Sequence, residues 1–145
     1  MRNRVEIMHG VNLDQLGRRD PLHYGTLSFD GLEREIGKFA RELGLEPRFF
    51  HSNHEGEFVE HLHRLEGLAD AVLLNPGSWT HYAWALRDAL ELTGLPAVEV
   101  HLSDVQNREA FRKVSVFEGL VVGTVSGKGP EGYRDALAIL KEQLA

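Results

Sequence analysis

Two residues at a spacing of two set the first chemical question. Glu99 and His101 sit in Glu99-Val100-His101, inside a short apolar run, and on a strand both side chains point to the same face. A carboxylate beside an imidazole fixes its tautomer and favours its protonated form, which suits a general acid. An incidental surface pair uses the same two residue types, so placement must decide between them. Tyr24 raises the second question. It lies in a glycine-flanked loop, five or six residues after Arg19 and Arg18. A tyrosine acts as a base only as its phenolate, and a neighbouring guanidinium favours that form. An exposed tyrosine in a flexible loop is the plain alternative. Asn12, Asn75, His81, Arg108 and Arg112 complete the polar set, each following an apolar segment.

The elements that would position these groups follow from periodicity. Val5–Met8 is short, apolar and followed by Gly10, which predicts a strand. Residues 11–27 read as a long loop. Phe29, Leu32, Ile36, Phe39 and Leu43 mark one face of a helix, with Ser28 as N-cap and Gly44 as stop. Pro47–His51 reads as the second strand. Ser52-Asn53-His54-Glu55 matches a capping box before a helix carrying Phe58, Leu62 and Leu65. Ala71–Leu74 is the third strand, ended by Asn75-Pro76-Gly77. A helix through Ala83, Leu86 and Leu90 stops at Gly94, and Ala97–Val100 is the fourth strand. A short helix is expected over Arg108–Arg112 and a fifth strand over Leu120–Val125. Tyr133, Ala136, Leu137, Leu140 and Leu144 line a last helix.

Strands alternating with helices predict an α/β fold with a parallel sheet covered on both faces. Five strands with right-handed crossovers make a flavodoxin-like three-layer sandwich, in strand order 2-1-3-4-5, the natural expectation. In such sheets ligands bind beyond the carboxyl ends of the strands, at the switch point between strands one and three. The segments after strands one, three and four are the ones that carry Asn12, Arg19, Tyr24, Asn75, His81, His101 and Arg112.

Composition narrows the function further. The chain has 145 residues and a formal charge of −6, with 42% hydrophobic and 26% charged residues. These values fit a single globular domain over 1–145 and argue against a partner recognised through phosphate neutralisation, so no nucleic acid is expected. No apolar run reaches the roughly 18 residues of a membrane span, and Met1–Gly10 does not read as a signal-peptide core. The absence of cysteine excludes disulfides, thiolate catalysis and Cys-based metal centres. A cytoplasmic enzyme or binding domain is the expectation.

Several motifs mislead. Gly127-Lys128-Gly129-Pro130-Glu131-Gly132 matches a dinucleotide fingerprint, but no later strand remains to supply the acidic ribose ligand, so a tight strand-to-helix turn is expected. His54, Glu57 and His61 share a helical face, which reads as solvated rather than metal-binding. Trp79 and Trp84 could stack on a ligand or pack against a neighbouring subunit. No GxSxG elbow and no well-placed buried lysine argue for a hydrolase or a Schiff-base enzyme.

The motifs together resemble a family. Asn12-Leu13, Leu16-Gly17-Arg18-Arg19-Asp20-Pro21 and Tyr24-Gly25 are similar to the opening signature of type II 3-dehydroquinate dehydratases. The resemblance continues through Ser52–Gly56, Asn75–His81, Ala85–Ala89, Val98–Ser103 and Arg108–Arg112, and covers nearly the whole chain in order. It implies dehydration of 3-dehydroquinate to 3-dehydroshikimate without metal or cofactor. It implies that Tyr24 takes the C2 proton with Arg19 favouring its phenolate. Asn12 would hold a water that stabilises the enolate. His101, oriented by Glu99, would protonate the leaving hydroxyl. The backbone of Leu102 and Ser103 would bind the substrate carboxylate, and Asn75, His81 and Arg112 the ring hydroxyls. Asp88 would reach a neighbouring subunit's site within a dodecamer built from trimers. The loop carrying Arg19 and Tyr24 would act as a lid.

The chain departs from the usual pattern at His9, Val11, Asp14 and Gln15, has Arg19-Asp20-Pro21 where Arg-Glu-Pro is usual, and has Asp104 and Lys128 at two further variable points. No proposed catalytic group is lost. The alternative is a non-catalytic or substrate-shifted paralogue that binds a related cyclic hydroxy acid.

Overall fold

Five short strands pair side by side: β1 (Arg4–His9), β2 (Glu46–His51), β3 (Ala71–Asn75), β4 (Ala97–His101) and β5 (Gly123–Ser126). Their order is β2-β1-β3-β4-β5 and every pairing is parallel, the flavodoxin-like arrangement expected from the sequence. This computed structural model describes residues 2–24 and 26–145; Met1, and Gly25 of the Tyr24-Gly25 motif, lie outside it.

Helices cover both faces. On one side α2 (Phe29–Glu42) and α5 (Glu131–Leu144) bury Leu32, Ile36, Leu137 and Leu140 against Val5, Ile7, Leu73 and Val98 of the sheet. On the other side α3 (Glu55–His63) and α4 (Trp84–Thr93) bury Phe58, Leu62, Leu86 and Leu90 against Met8, Val72, Leu74 and Ala97. Neighbouring residues of each inner strand thus feed opposite cores, as a period of two requires. Ser28 caps α2 by accepting from the Gly31 N–H at 3.1 Å, and Gly44 follows its end at φ +75°. Among the described residues no helix is long and apolar enough to cross a membrane.

Four local expectations shift. The loop over 11–27 contains a 3₁₀ turn at Leu13–Gln15 and a one-turn helix, α1 (Pro21–Tyr24). Leu120–Val122 belongs to a turn before β5, where half-buried Leu120 and Val121 pack against the α3–α4 core from a loop and Val122 is exposed; a short apolar run on a turn looks like a strand in sequence. The short helix over Arg108–Arg112 is two 3₁₀ turns, Val105–Asn107 and Ala110–Lys113, with Arg108 extended between them. The capping box is displaced. His54 is the N-cap residue without a side-chain cap, and Ser52 Oγ instead accepts from the His54 N–H at 2.9 Å and donates to Glu57 Oε1 at 2.9 Å.

At α3, His54 and Glu57 are exposed as expected, but His61 departs from the expectation of a solvated face. His61 turns inward, with Nε2 2.6 Å from Glu6 Oε2 and its ring stacked on Phe50 at 3.8 Å. Glu6 is a charge inside an apolar strand, and His61 together with Arg48 (3.4 Å) supplies the partners that a buried carboxylate needs. Gly127-to-Gly132 forms the expected tight turn. Its N–H groups of Gly127 and Gly129 donate to the carbonyls of Ser103 and Leu102 at 3.0 and 3.2 Å.

The switch point between β1 and β3 is built by backbone pressed on backbone. A Cβ on Gly10 would stand 2.4 Å from the Pro76 carbonyl oxygen, and Gly77, at φ +66°, approaches the Val11 carbonyl as closely. Gly10→Ala should therefore cost about 1–3 kcal/mol of stability, read from urea or thermal unfolding. Gly56→Ala, with open space around its Cβ in the first turn of α3, should be neutral or stabilise by up to about 1 kcal/mol.

Candidate active site

The carboxyl ends of β1, β3 and β4 open on a cleft lined by Asn12, Arg19, Tyr24, Asn75, His81, His101, Leu102, Ser103 and Arg112. Nine of the eleven residues expected at the site therefore meet in one cavity. Glu99 stands directly behind His101. Asp88 does not join them: it lies exposed on α4, outside the residues lining its own chain's cleft. Val11, Leu13, Ser78 and Val105 add lining that the sequence reading did not assign to the site.

Tyr24 is presented by α1, which exists because Asp20 caps it. The Asp20 side chain accepts from the Leu22 N–H at 3.0 Å, its carbonyl accepts from the N–H of Tyr24, and Pro21 takes the first helical position. The phenol oxygen then lies between two cations. Arg19 Nη2 donates to it at 2.8 Å and Arg108 Nη1 at 2.7 Å. Arg19 also stacks over the ring, 3.8 Å from its centre. Two charge-assisted hydrogen bonds aimed at one phenol oxygen stabilise negative charge there. Arg108 had no assigned role in the sequence. Its reach depends on the extended break between the two 3₁₀ turns, because a continuous helix would place it on one face with Arg112.

Behind His101 the carboxylate of Glu99 is almost fully buried and fully engaged. It accepts from His101 Nε2 at 2.6 Å, from Ser115 Oγ at 2.7 Å and from the Thr80 hydroxyl. Burial pushes the Glu99 carboxyl up, but the bonds from His101, Thr80 and Ser115 outweigh it and hold the group below its ordinary value. With Nε2 engaged by Glu99, the nitrogen left for a ligand is Nδ1. No spacing in the sequence pointed to Thr80 or Ser115, since both reach Glu99 across the fold.

His81 is set up differently. Burial lowers its proton affinity, against a counteracting bond to the Val114 carbonyl, and the neighbouring His101 and Arg112 lower it further. Neutral His81 donates Nδ1–H to that carbonyl at 2.7 Å and leaves Nε2 as an acceptor. Arg112 is held by Glu109. Asn12 adopts the left-handed conformation at φ 68°, and its N–H donates to Asn53 Oδ1 at 2.8 Å; Asn53 in turn is tied to Asp14 at 3.2 Å. Trp79 is buried against Phe58 and Trp84 is 61% exposed, so neither reaches the cleft as a stacking platform.

Asn75 has a buried partner of its own. Its Oδ1 accepts from the Gly77 N–H at 3.2 Å, and its Nδ2 donates to Tyr133 Oη at 3.0 Å. The same Oη lies 2.9 Å from His9 Nε2. Burial, with a smaller contribution from His51, pushes His9 down to about 3, and burial pushes the Tyr133 phenol up.

The cleft thus brings a tyrosine held by two guanidinium groups and a histidine backed by a carboxylate to one small-ligand-sized cavity. Comparison with known proteins gives the lineage. The model of the family described as Dehydroquinase class II matches residues 3–141. A 3-dehydroquinate dehydratase from Halothermothrix orenii is 47% identical over 135 residues, covering 93% of this chain and 91% of that protein. The type II dehydroquinase from Butyrivibrio crossotus superposes with a TM-score of 0.92 at 33% identity, over 96% of this chain and 97% of that one. The type II dehydroquinase from Propionibacterium acnes gives 0.91 at 36% identity, over 98% of both chains. The chain belongs to the class II dehydroquinase family.

The His9 arrangement predicts a pH dependence of stability. The folded chain protonates His9 near pH 3 and the unfolded chain near its ordinary 6.5. Above 6.5 both states are neutral at this residue and its contribution is constant. Between 6.5 and 3 the unfolded state binds the extra proton, so stability falls with pH by up to about 1.4 kcal/mol per unit. His9→Gln lacks this slope. The stability difference between wild type and His9→Gln should shrink as pH falls from 7 to 5 in urea titrations; a constant difference would mean that His9 accepts a proton in the folded chain.

Proposed function

We propose that this chain dehydrates 3-dehydroquinate to 3-dehydroshikimate through an enolate, with Tyr24 as general base and His101 as general acid. The observation that carries the reading is the Tyr24 oxygen held by Arg19 and Arg108 at 2.8 and 2.7 Å in the cleft that His101 also lines. The relatives named as 3-dehydroquinate dehydratases support the choice of substrate.

In this reading the Tyr24 phenolate removes the C2 proton beside the ketone, and the electron pair moves onto the C3 oxygen. Asn12 holds a water against the enolate. The enolate then collapses, C1=C2 forms, and the C1–O bond breaks as His101 delivers a proton from Nδ1 to the departing hydroxyl, which leaves as water. Glu99 orients His101 and balances its charge. The backbone N–H groups of Leu102 and Ser103 take the substrate carboxylate, and the turn at Gly127–Gly129 fixes that cradle from behind. Asn75, His81 and Arg112 take the ring hydroxyls. Donors and charges in place before proton removal are what enolate formation gains most from.

We extend the reading to a cytoplasmic homo-oligomer, a dodecamer of trimers, in which Asp88 serves a neighbour's site and the loop bearing Arg19 and Tyr24 closes as a lid. Exposed Tyr82 and Trp84, just before Asp88 along the chain, support a subunit contact there. The same reaction serves the shikimate pathway and quinate breakdown.

The test is ultraviolet absorbance of the conjugated enone after adding 3-dehydroquinate to the purified protein. A rise is expected, reduced by about 10³-fold in Tyr24→Phe and in His101→Ala. Arg108→Ala should lower kcat by about 10²–10³-fold. No rise from folded wild type overturns the reading, and full activity in a variant overturns the role given to that residue.

A further inference from the structure

We propose that Tyr133 and His9 form a buried relay that locks the Asn75 carboxamide in one orientation, and that they are thereby positioning residues for the ring-hydroxyl subsite of the cleft. This rests on the dehydratase reading for the identity of the ligand, but the relay itself stands on geometry. The parallel register sets His9 of β1 directly beside Asn75 of β3. Both side chains point to the α5 face, where Tyr133 in the first turn of α5 places its hydroxyl between them. Tyr133 and His9 are fully buried and Asn75 is 3% exposed.

One arrangement of hydrogens satisfies every contact within this triad, with His9 Nδ1 left buried and without a hydrogen-bond partner among the described residues. The Gly77 N–H can only donate, so the Asn75 atom it meets is the oxygen, and the atom facing Tyr133 is the amide nitrogen. That nitrogen can only donate, so the Tyr133 oxygen accepts. The phenol proton then goes to His9, whose Nε2 must be an unprotonated acceptor. An imidazolium there would present a donor to an oxygen whose own proton had nowhere to go. Burial keeps His9 neutral and Tyr133 protonated, so the arrangement persists across the working pH range.

The consequence lies at the cleft. Asn75 keeps one N–H and one lone pair for a ligand, with their positions fixed. A rotated amide would exchange donor for acceptor and mismatch a hydroxyl held there. His9 carries a side chain long enough to meet the phenol, and Tyr133, which reads in sequence as one more residue of an apolar helix stripe, becomes the hinge of the arrangement.

Tyr133→Phe removes the hydroxyl and keeps the ring. It should raise KM for 3-dehydroquinate about tenfold and change kcat by less than about threefold, the signature of lost positioning rather than lost chemistry. His9→Phe should do the same, and His9→Gln, which returns an acceptor, should restore at least half of the loss. In an Asn75→Ala background Tyr133→Phe should have no further effect on KM, a result that a general loss of packing would not give. A readout free of substrate accompanies these. The Asn75 side-chain amide protons, assigned in NMR spectra by their loss in Asn75→Ala, should exchange with solvent at least about tenfold faster in Tyr133→Phe than in wild type. An unchanged KM in Tyr133→Phe, an equal KM rise in the Asn75→Ala background, or equal amide exchange in wild type and Tyr133→Phe overturns the relay. Wild type that fails to turn over 3-dehydroquinate while its Asn75 amide stays protected overturns the dehydratase reading and leaves the relay standing.

Discussion

Three neighbouring strands, β1, β3 and β4, end in a buried polar side chain: His9, Asn75 and His101. Each lies at the carboxyl edge, where the sheet stops and the cleft begins, and each must be satisfied with little help from water. An unpaired buried polar group costs about 1–3 kcal/mol, so the fold around this edge is organised by the search for partners. His101 finds Glu99 two residues back on its own strand. Asn75 finds Tyr133 from α5 and the backbone of the turn that follows it. His9 finds the other side of the same phenol through Nε2, while its Nδ1 stays buried without a hydrogen-bond partner among the described residues. These obligations fix α5, the turn after β3 and the loop bearing Ser115 relative to one another, and so fix the shape of the cleft.

Tyr24 is the exception that the scheme leaves room for. It comes from a one-turn helix in a loop and carries no structural duty in the sheet. Its oxygen is only half-buried, and its partners are two cations rather than a neutral amide or imidazole. A tyrosine with a neutral hydrogen-bonding environment, such as Tyr133, is stabilised as the phenol. Tyr24 instead presents its oxygen to two cationic donors, Arg19 and Arg108. The chain holds both within one site region, and burial and charge separate their surroundings.

The architecture was legible because it rests on local periodicity. The two-residue spacing of Glu99 and His101, the 3–4 spacing along α2, and Ser28 before it are short-range signals, and the switch-point rule turned them into a location for the site. What escaped the sequence was long-range. Arg108 reaches Tyr24 across 84 residues, Tyr133 reaches His9 across 124, and Thr80 and Ser115 reach Glu99 from separate loops. His61 was misread as solvated for the same reason: its partner, Glu6, is 55 residues away in the first strand. Leu120–Val122 failed in the other direction, since a short run of apolar residues made a turn look like a strand. Asp88 was singled out from the family pattern alone, and it stands outside the lining of its own chain's cleft.

The sheet contains a second carboxylate–histidine pair, and the contrast shows what makes the first one chemical. Glu6 and His61 approach to 2.6 Å, the same separation as Glu99 and His101, and both carboxylates are buried on the α3–α4 face. Residue type, distance and burial therefore do not distinguish them. Position along the strand does. Glu6 lies in the middle of β1, and its histidine comes down from α3 to stack on Phe50, so the pair closes on itself as a core contact. Glu99 is two residues from the end of β4, and its histidine is the terminal residue of that strand. The imidazole consequently has one nitrogen tied into the sheet and its other edge in the cleft. A general acid needs that division, one side fixed by a charge that favours protonation and the other open to the group that receives the proton. The parallel sheet provides it at one place, the strand's carboxyl end, which is why the same pair of residues is a structural contact at Glu6 and a candidate acid at Glu99.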